Sequence, residues 1–106
     1  MQKRKSLFTK IGKWWHKDKE IDIVALNEQA KEILFCECKW QSKVNAKKIC
    51  KDLAEKSQYV QWHNEQRKEY FAIFAKSFNK KITEFQGRKV YCFDLKDLEK
   101  ELKNKK

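Results

Sequence analysis

Glu20-Ile21-Asp22-Ile23-Val24-Ala25-Leu26 and Ile33-Leu34-Phe35-Cys36-Glu37-Cys38-Lys39-Trp40-Gln41 are the two stretches that decide how this chain folds. Both are rich in β-branched and aromatic residues, which favour the extended chain, and side chains along a strand alternate between two faces. On strict alternation Ile21, Ile23 and Ala25 share one face of the first stretch, and Glu20 and Asp22 share the other. In the second stretch Glu37 and Lys39 project together, while Cys36, Cys38 and Trp40 point the opposite way. A charged group inside an otherwise apolar strand is costly unless something compensates it. If the two strands lie side by side, Asp22 and Glu37 converge on one cation and Lys39 sits beside them.

That set of groups suits phosphodiester cleavage. Hard carboxylate oxygens hold Mg²⁺ or Mn²⁺ while waters and a substrate phosphate fill the remaining positions. The metal acidifies water and offsets charge that builds on the phosphate. A lysine next to it orients the attacking water or stabilises the developing negative charge.

The order acid, β-turn, Glu-x-Lys resembles the PD-(D/E)XK nuclease superfamily, with Asp22 at its metal-binding acid and Glu37-Cys38-Lys39 at its signature. More narrowly, Gly12-Lys13-Trp14-Trp15-His16, the Glu20 stretch, Glu37-Cys38-Lys39-Trp40 and Asn64-Glu65-Gln66-Arg67-Lys68-Glu69-Tyr70-Phe71 resemble the domain of unknown function at the C-terminus of archaeal ATPases. The resemblance covers roughly residues 7 to 95. It implies a restriction-endonuclease-like α/β fold and Mg²⁺ or Mn²⁺ as cofactor. The implied metal ligands are Asp22, Glu37 and the carbonyl of Cys38, with Lys39 as the electrostatic catalyst. DNA is the implied substrate, and an ATPase domain or protein is an implied partner. Superfamily members often carry a further glutamate on a helix before the first core strand, and residues 1–6 contain no acid.

Around this centre the chain divides into short elements. Residues 7–15 alternate loosely and end at the polar turn His16-Lys17-Asp18-Lys19, which predicts a hairpin with the Glu20 strand. A second turn at 27–31 leads into the Ile33 strand, giving three consecutive antiparallel strands. Over 45–62 the period changes. Ala46, Ile49, Cys50, Leu53, Ala54 and Ser57 recur at helical spacing behind Asn45, a suitable N-cap. The helix then crosses over to an unbroken apolar strand at 69–76, which implies parallel pairing and suits a strand covered on both faces. Residues 77–86 read as a short helix or an irregular loop. A fifth strand follows at 89–94, and Asp94 caps a last helix whose Leu95, Leu98 and Leu102 mark a buried stripe. The expected product is one compact α/β domain over 1–106, a mixed sheet of about five strands with a crossover helix and a C-terminal helix. Residues 1–6 form a basic leader and 103–106 a frayed tail.

Composition agrees with a packed domain: 41% of the 106 residues are hydrophobic and 13% aromatic, which argues against disorder. No apolar run is long enough to cross a bilayer, and the lysine-rich start lacks the continuous apolar segment of a secretory signal, so the expected location is cytoplasmic. The formal net charge is +11, from 26 Lys plus Arg against 15 Asp plus Glu. Such an excess favours polyanions, although lysine excess is also a habit of AT-rich or thermophilic genomes. Lys3, Arg4, Lys5, Lys10, Lys13, Lys17 and Lys19 crowd the approach to the acid strand, opposed only by Asp18. Lys13, His16, Lys17, Lys43 and Lys47 are the candidate phosphate contacts, against the simpler reading of a solvated lysine surface.

Glu20 and Gln41 are candidate auxiliary residues, because they continue the faces of Asp22 and of Glu37 and Lys39. Equally, they are charged and polar strand ends in solvent. His16 is a proton shuttle or an ordinary turn histidine, and His63 suits a helix C-terminus. The four tryptophans are base-stacking groups or packing. If 7–15 is a strand, Trp14 and Trp15 face opposite ways, so at most one is buried in the same place. Cys36, Cys38, Cys50 and Cys92 lack a zinc spacing and read as small reduced core residues. A homodimer would place two such sites on two strands of DNA. The competing reading is a catalytically inactive module that keeps the fold and binds nucleic acid or a partner ATPase.

Overall fold

Two lysines in left-handed turn conformation and one Asx turn organise the first half of the chain. Lys17 (φ 57°) closes the hairpin between β1 (Lys10–His16) and β2 (Lys19–Asn27). At the end of β2 the Asn27 side chain accepts the amides of Gln29 and Ala30, both at 3.1 Å, and Lys31 (φ 56°) turns the chain into β3 (Glu32–Lys39). The computed structural model describes residues 9–103; residues 1–6 of the expected basic leader and 104–106 of the expected tail lie outside that range.

Beyond β3 come β4 (Val44–Asn45), α1 (Ala46–Ser57), β5 (Lys68–Ala75), β6 (Phe78–Lys80), β7 (Glu84–Phe85), β8 (Arg88–Phe93) and α2 (Leu95–Lys103). The main sheet has the order β1-β2-β3-β5-β8-β7. Pairing is antiparallel across β1, β2 and β3, parallel from β3 to β5 to β8, and antiparallel again at β7. This mixed α/β architecture, with its crossover helix and C-terminal helix, is compatible with a restriction-endonuclease-like fold.

Helix α1 starts where expected, with the Asn45 side chain accepting the Lys48 amide at 3.1 Å. Its Cys50, Leu53 and Ala46 pack on Phe35, Phe71, Ile21, Ile33 and Ile73, forming the core on one face of the sheet. The helix ends at Ser57, five residues short of the expected 62. The Arg67 guanidinium explains the stop, because it takes the carbonyls of Ser57, Val60 and Trp62 at 2.8, 2.7 and 3.0 Å. Glu69 pairs with Arg67 at 2.7 Å and with Arg88 at 2.6 Å, so one ionic network ties the end of α1 to the starts of β5 and β8. His63 is therefore in the loop after the helix, at φ 44°, and not at the helix dipole.

Three further expectations are corrected. Residues 77–86 are neither helix nor irregular loop; they contain β6, which pairs with β4 as a small parallel sheet, and β7, because Phe78, Ile82 and Phe85 reach back to the core from extended backbone. The leucine stripe of α2 is not buried: Leu95 is 41% and Leu102 72% exposed. Among the described residues the helix is fastened at its start, where Asp94 and Asp97 form a reciprocal cap at 2.9 Å, Lys81 pairs with both and the Leu95 amide donates to the Lys76 carbonyl at 3.2 Å. Finally, β5 is not covered on both faces. On the side away from α1 its own Tyr70 and Phe74 are only half-buried, although Ala72 is buried, and the neighbouring β2 and β8 present Ile23, Tyr91 and Phe93 to solvent.

Candidate metal and nucleic-acid site

Strict alternation fails at one point in β2, and that point makes the site. Gly12 pairs with Val24 but Trp14 pairs with Ile21, so Asp22 and Ile23 together oppose Lys13. This is a β-bulge on β2. It returns Ile21 to the α1 side, where it is fully buried beside Val24 and Leu26, and leaves Ile23 on the opposite face, 41% exposed. Ile21 and Ile23 thus do not share a face as alternation predicts.

The bulge also frees Asp22 from the ladder. Regular β2–β3 pairing ends at Ile23 with Cys36, and beyond it the Cys38 amide donates to the Asp22 carboxylate at 2.8 Å. A side-chain oxygen replaces the backbone carbonyl that an unbroken ladder would offer. Within a strand the N–H and C=O of one residue lean to the same side. The Cys38 carbonyl therefore faces the Asp22 side as well, while its thiol is exposed.

Glu37 lies on the α1 side of β3, in line with Ile33 and Phe35, and is 9% exposed. Among the described residues its Oε1 is a buried oxygen without a hydrogen-bond partner. Burial raises the Glu37 carboxyl above the ordinary carboxylate range; Lys56 and Lys39 pull it down, while Asp22 and Asp52 push it up. Asp22, Glu37 and Lys39 are thus brought within electrostatic reach of one another. Lys39 is half-buried and reaches a cleft of about 620 Å³ lined by Gln41, Ser42, Lys43, Asn45, Lys48, Asp52 and Glu55. Burial likewise raises the Cys36 thiol to about 11 and the Cys50 thiol to about 12, so both stay protonated, as core cysteines do.

Two residues here were not singled out by the sequence. Lys56, on the last turn of α1, places its ammonium 4.0 Å from Glu37 Oε1 and 3.2 Å from Asp52. Their signal was the Asp52–Lys56 (i, i+4) pair beside the buried positions Leu53 and Ser57.

The auxiliary candidates sit apart from this centre. Glu20 is exposed, pairs with Lys13 at 3.6 Å and belongs to the hairpin end with Trp15 and Lys17. Gln41 is on the rim of the cleft, its carbonyl accepting the Lys76 amide at 3.0 Å. Lys43 is on the same rim, at φ 52°, its amide donating to Ser77 Oγ at 2.7 Å. Lys47 faces a neighbouring hollow with Asn79 and Lys80. His16 stacks between Trp14 and Tyr59, with ring centroids 6.3 and 6.0 Å away. Trp14 packs on the core while Trp15 is 66% exposed, in keeping with their opposite faces.

The donors fit a hard cation in kind, since two carboxylates within electrostatic reach of one another, one with an orphaned buried oxygen, flank the Cys38 backbone. Among the described residues no group of three or more His, Cys, Asp or Glu side chains closes a cage. Waters and substrate would have to complete the shell, as Mg²⁺ commonly requires.

Residues 1–49 match the family described as "Archaea bacterial proteins of unknown function" (DUF234). Over 99 residues the chain is 39% identical to "Uncharacterized protein MJECL04" of Methanocaldococcus jannaschii. The match takes in 92% of this chain and 21% of that protein, so the chain spans about a fifth of the relative's length. No solved structure matches the chain. Among the described residues no helix is long and apolar enough to cross a membrane.

Proposed function

We propose that this chain carries a metal-dependent nuclease site that hydrolyses phosphodiester bonds in DNA. The observation that carries the reading is the orphaned, buried Glu37 Oε1 beside Asp22, with Lys39 on the same face. A buried carboxylate oxygen without a hydrogen bond is expensive to keep, and a cation is the partner that relieves it.

On this reading Asp22 and Glu37 hold Mg²⁺ or Mn²⁺, assisted by the Cys38 carbonyl. When bound, the metal supplies positive charge against the scissile phosphate and acidifies water. The Cys38 amide fixes the Asp22 carboxylate in one orientation through its 2.8 Å bond. Lys39, on the open side of Glu37, positions the attacking water or balances charge on the phosphate. Lysines 43, 48 and 51 along the cleft guide the nucleic-acid backbone to it. By its resemblance the domain serves an ATPase domain or protein, and a homodimer would bring two sites to two strands.

A second reading, a catalytically inactive module that retains the fold, is favoured by one observation: Lys56 already stands within 4.0 Å of Glu37. Calorimetric titration with Mg²⁺ and Mn²⁺ separates the two readings. Metal binding that is present in the wild type and lost in Asp22→Asn supports the nuclease site. DNA binding without any metal binding supports the module.

A further inference from the structure

We infer that Lys56 is the built-in counter-cation of the Asp22–Glu37 pair and that it competes with the divalent metal for Glu37, so that this residue sets how tightly the site binds metal. The inference rests on the reading of Asp22 and Glu37 as metal ligands.

The geometry is that of a cation held near an anion without satisfying it. Lys56 Nζ lies 4.0 Å from Glu37 Oε1, close enough to neutralise charge and too far to hydrogen-bond, and that oxygen stays orphaned. The ammonium is drawn back by Asp52 at 3.2 Å, one helical turn earlier on α1. The Lys56 side chain is 18% exposed and Asp52 55%, so the lysine bridges from the half-open surface of the helix into the site. Asp22, half-buried, and the buried Glu37 repel one another electrostatically, and in the absence of metal a tethered ammonium is what stabilises the pair.

A divalent ion and an ammonium cannot both sit against the same carboxylate oxygen, because like charges at that separation repel strongly in a low-dielectric site. The flexible four-carbon stem of lysine allows retreat, and Asp52 provides the place to retreat to. Lys56 therefore has two positions, one toward Glu37 without metal and one wholly on Asp52 with metal. The free energy of moving between them is taken from metal affinity. Such a device holds the site quiet at low metal and makes Asp52 a determinant of the threshold, although neither residue is a ligand.

The test is Mn²⁺ binding followed by electron paramagnetic resonance on the folded 106-residue chain, with circular dichroism as the check on fold. Lys56→Met is expected to tighten Mn²⁺ binding by about tenfold, in the usual range for a coupling between two sites. Lys56→Gln serves as a second neutral variant should Lys56→Met fold poorly. Lys56→Arg keeps the charge and is expected to stay near wild type, whereas Asp52→Asn removes the retreat position and is expected to weaken binding. The double variant Lys56→Met with Asp22→Asn should bind no Mn²⁺, which excludes a new site at the released Asp52. Wild-type binding that depends on Asp22 but is unchanged or weakened by Lys56→Met and Lys56→Gln would overturn the inference and leave the metal site standing. Absence of Mn²⁺ binding in the wild type and in both neutral variants would overturn the two together.

Discussion

Glu37 is held above the ordinary carboxyl range first by burial and then by Asp22, against the pull of Lys56 and Lys39. Between the ordinary carboxyl value and that raised one, the folded chain retains a proton that the unfolded chain has released. Stability of the metal-free protein therefore falls as pH rises through this window, and the loss is complete above the raised value. Glu37→Gln removes the charge while keeping the shape, and at neutral pH it is expected to raise metal-free stability by about 1 kcal/mol. Thermal melts from acid to neutral pH check this: the wild type should lose stability across the window and the variant should not. A lower melting temperature in the variant at neutral pH would show that Glu37 is already satisfied. Alternation sufficed to place Glu37 and Lys39 together, because β3 is regular. It failed for Ile21 and Ile23 because a bulge is a departure from period two, set by tertiary pairing and not marked by a glycine or proline. Lys56 was hidden for a related reason: the sequence shows a lysine at the edge of a helical stripe but not which strand residue its stem reaches.

Among the elements, the junction between α1 and β5 depends on Arg67, whose side chain is 2% exposed and is met by three carbonyls and Glu69. Arg67→Met is expected to destabilise the fold by about 3 kcal/mol or more, since Glu69 loses a partner and the helix-end carbonyls lose theirs. Denaturant unfolding measures it, and a loss below about 1 kcal/mol would mean that water replaces the guanidinium. At the other end, Asp94→Ala removes half of the reciprocal cap and is expected to weaken α2 by about 1 kcal/mol. Because α2 buries little, the effect should appear as faster hydrogen exchange of its amides while the amides of β3 and β5 keep their protection. Both helix starts were legible in the sequence, as Asn45 and Asp94 occupy cap positions before apolar periodicity. The end of α1 was not, because the group that stops it comes from ten residues downstream, at Arg67. Nor was the exposure of α2: periodicity tells that a helix has an apolar face, not that anything covers it.

At the scale of the whole molecule, the chain reads as a six-stranded main sheet with α1 on one face and a small β4–β6 sheet beside it, and the charge of +11 is its main long-range property. The lysines cluster at the hairpin end, with Lys13 and Lys17, and along the cleft beside Lys39, with Lys43, Lys48 and Lys51. If this surface holds DNA, log affinity should fall against log salt with a slope of about −4 or steeper, as about five phosphate contacts require. Fluorescence anisotropy of labelled duplex over a salt series gives that slope, and a slope near zero would place the charge outside any DNA contact. Fold class and strand pairing were legible because short turns force antiparallel neighbours and a helix crossover forces a parallel one. The two-residue strands β4 and β7 were not, since they are too short to carry a periodic signal.

The most direct test of a nuclease site is incubation of labelled linear duplex, branched and single-stranded DNA with Mn²⁺ and the wild-type chain, beside Asp22→Asn, Glu37→Gln and Lys39→Met. Cleavage of at least one substrate by the wild type, lost in all three variants while each keeps a native circular dichroism spectrum, is the predicted result. Cleavage that persists in the three variants, or intact DNA in every lane although the wild type binds both Mn²⁺ and DNA, would contradict a catalytic role for Asp22, Glu37 and Lys39.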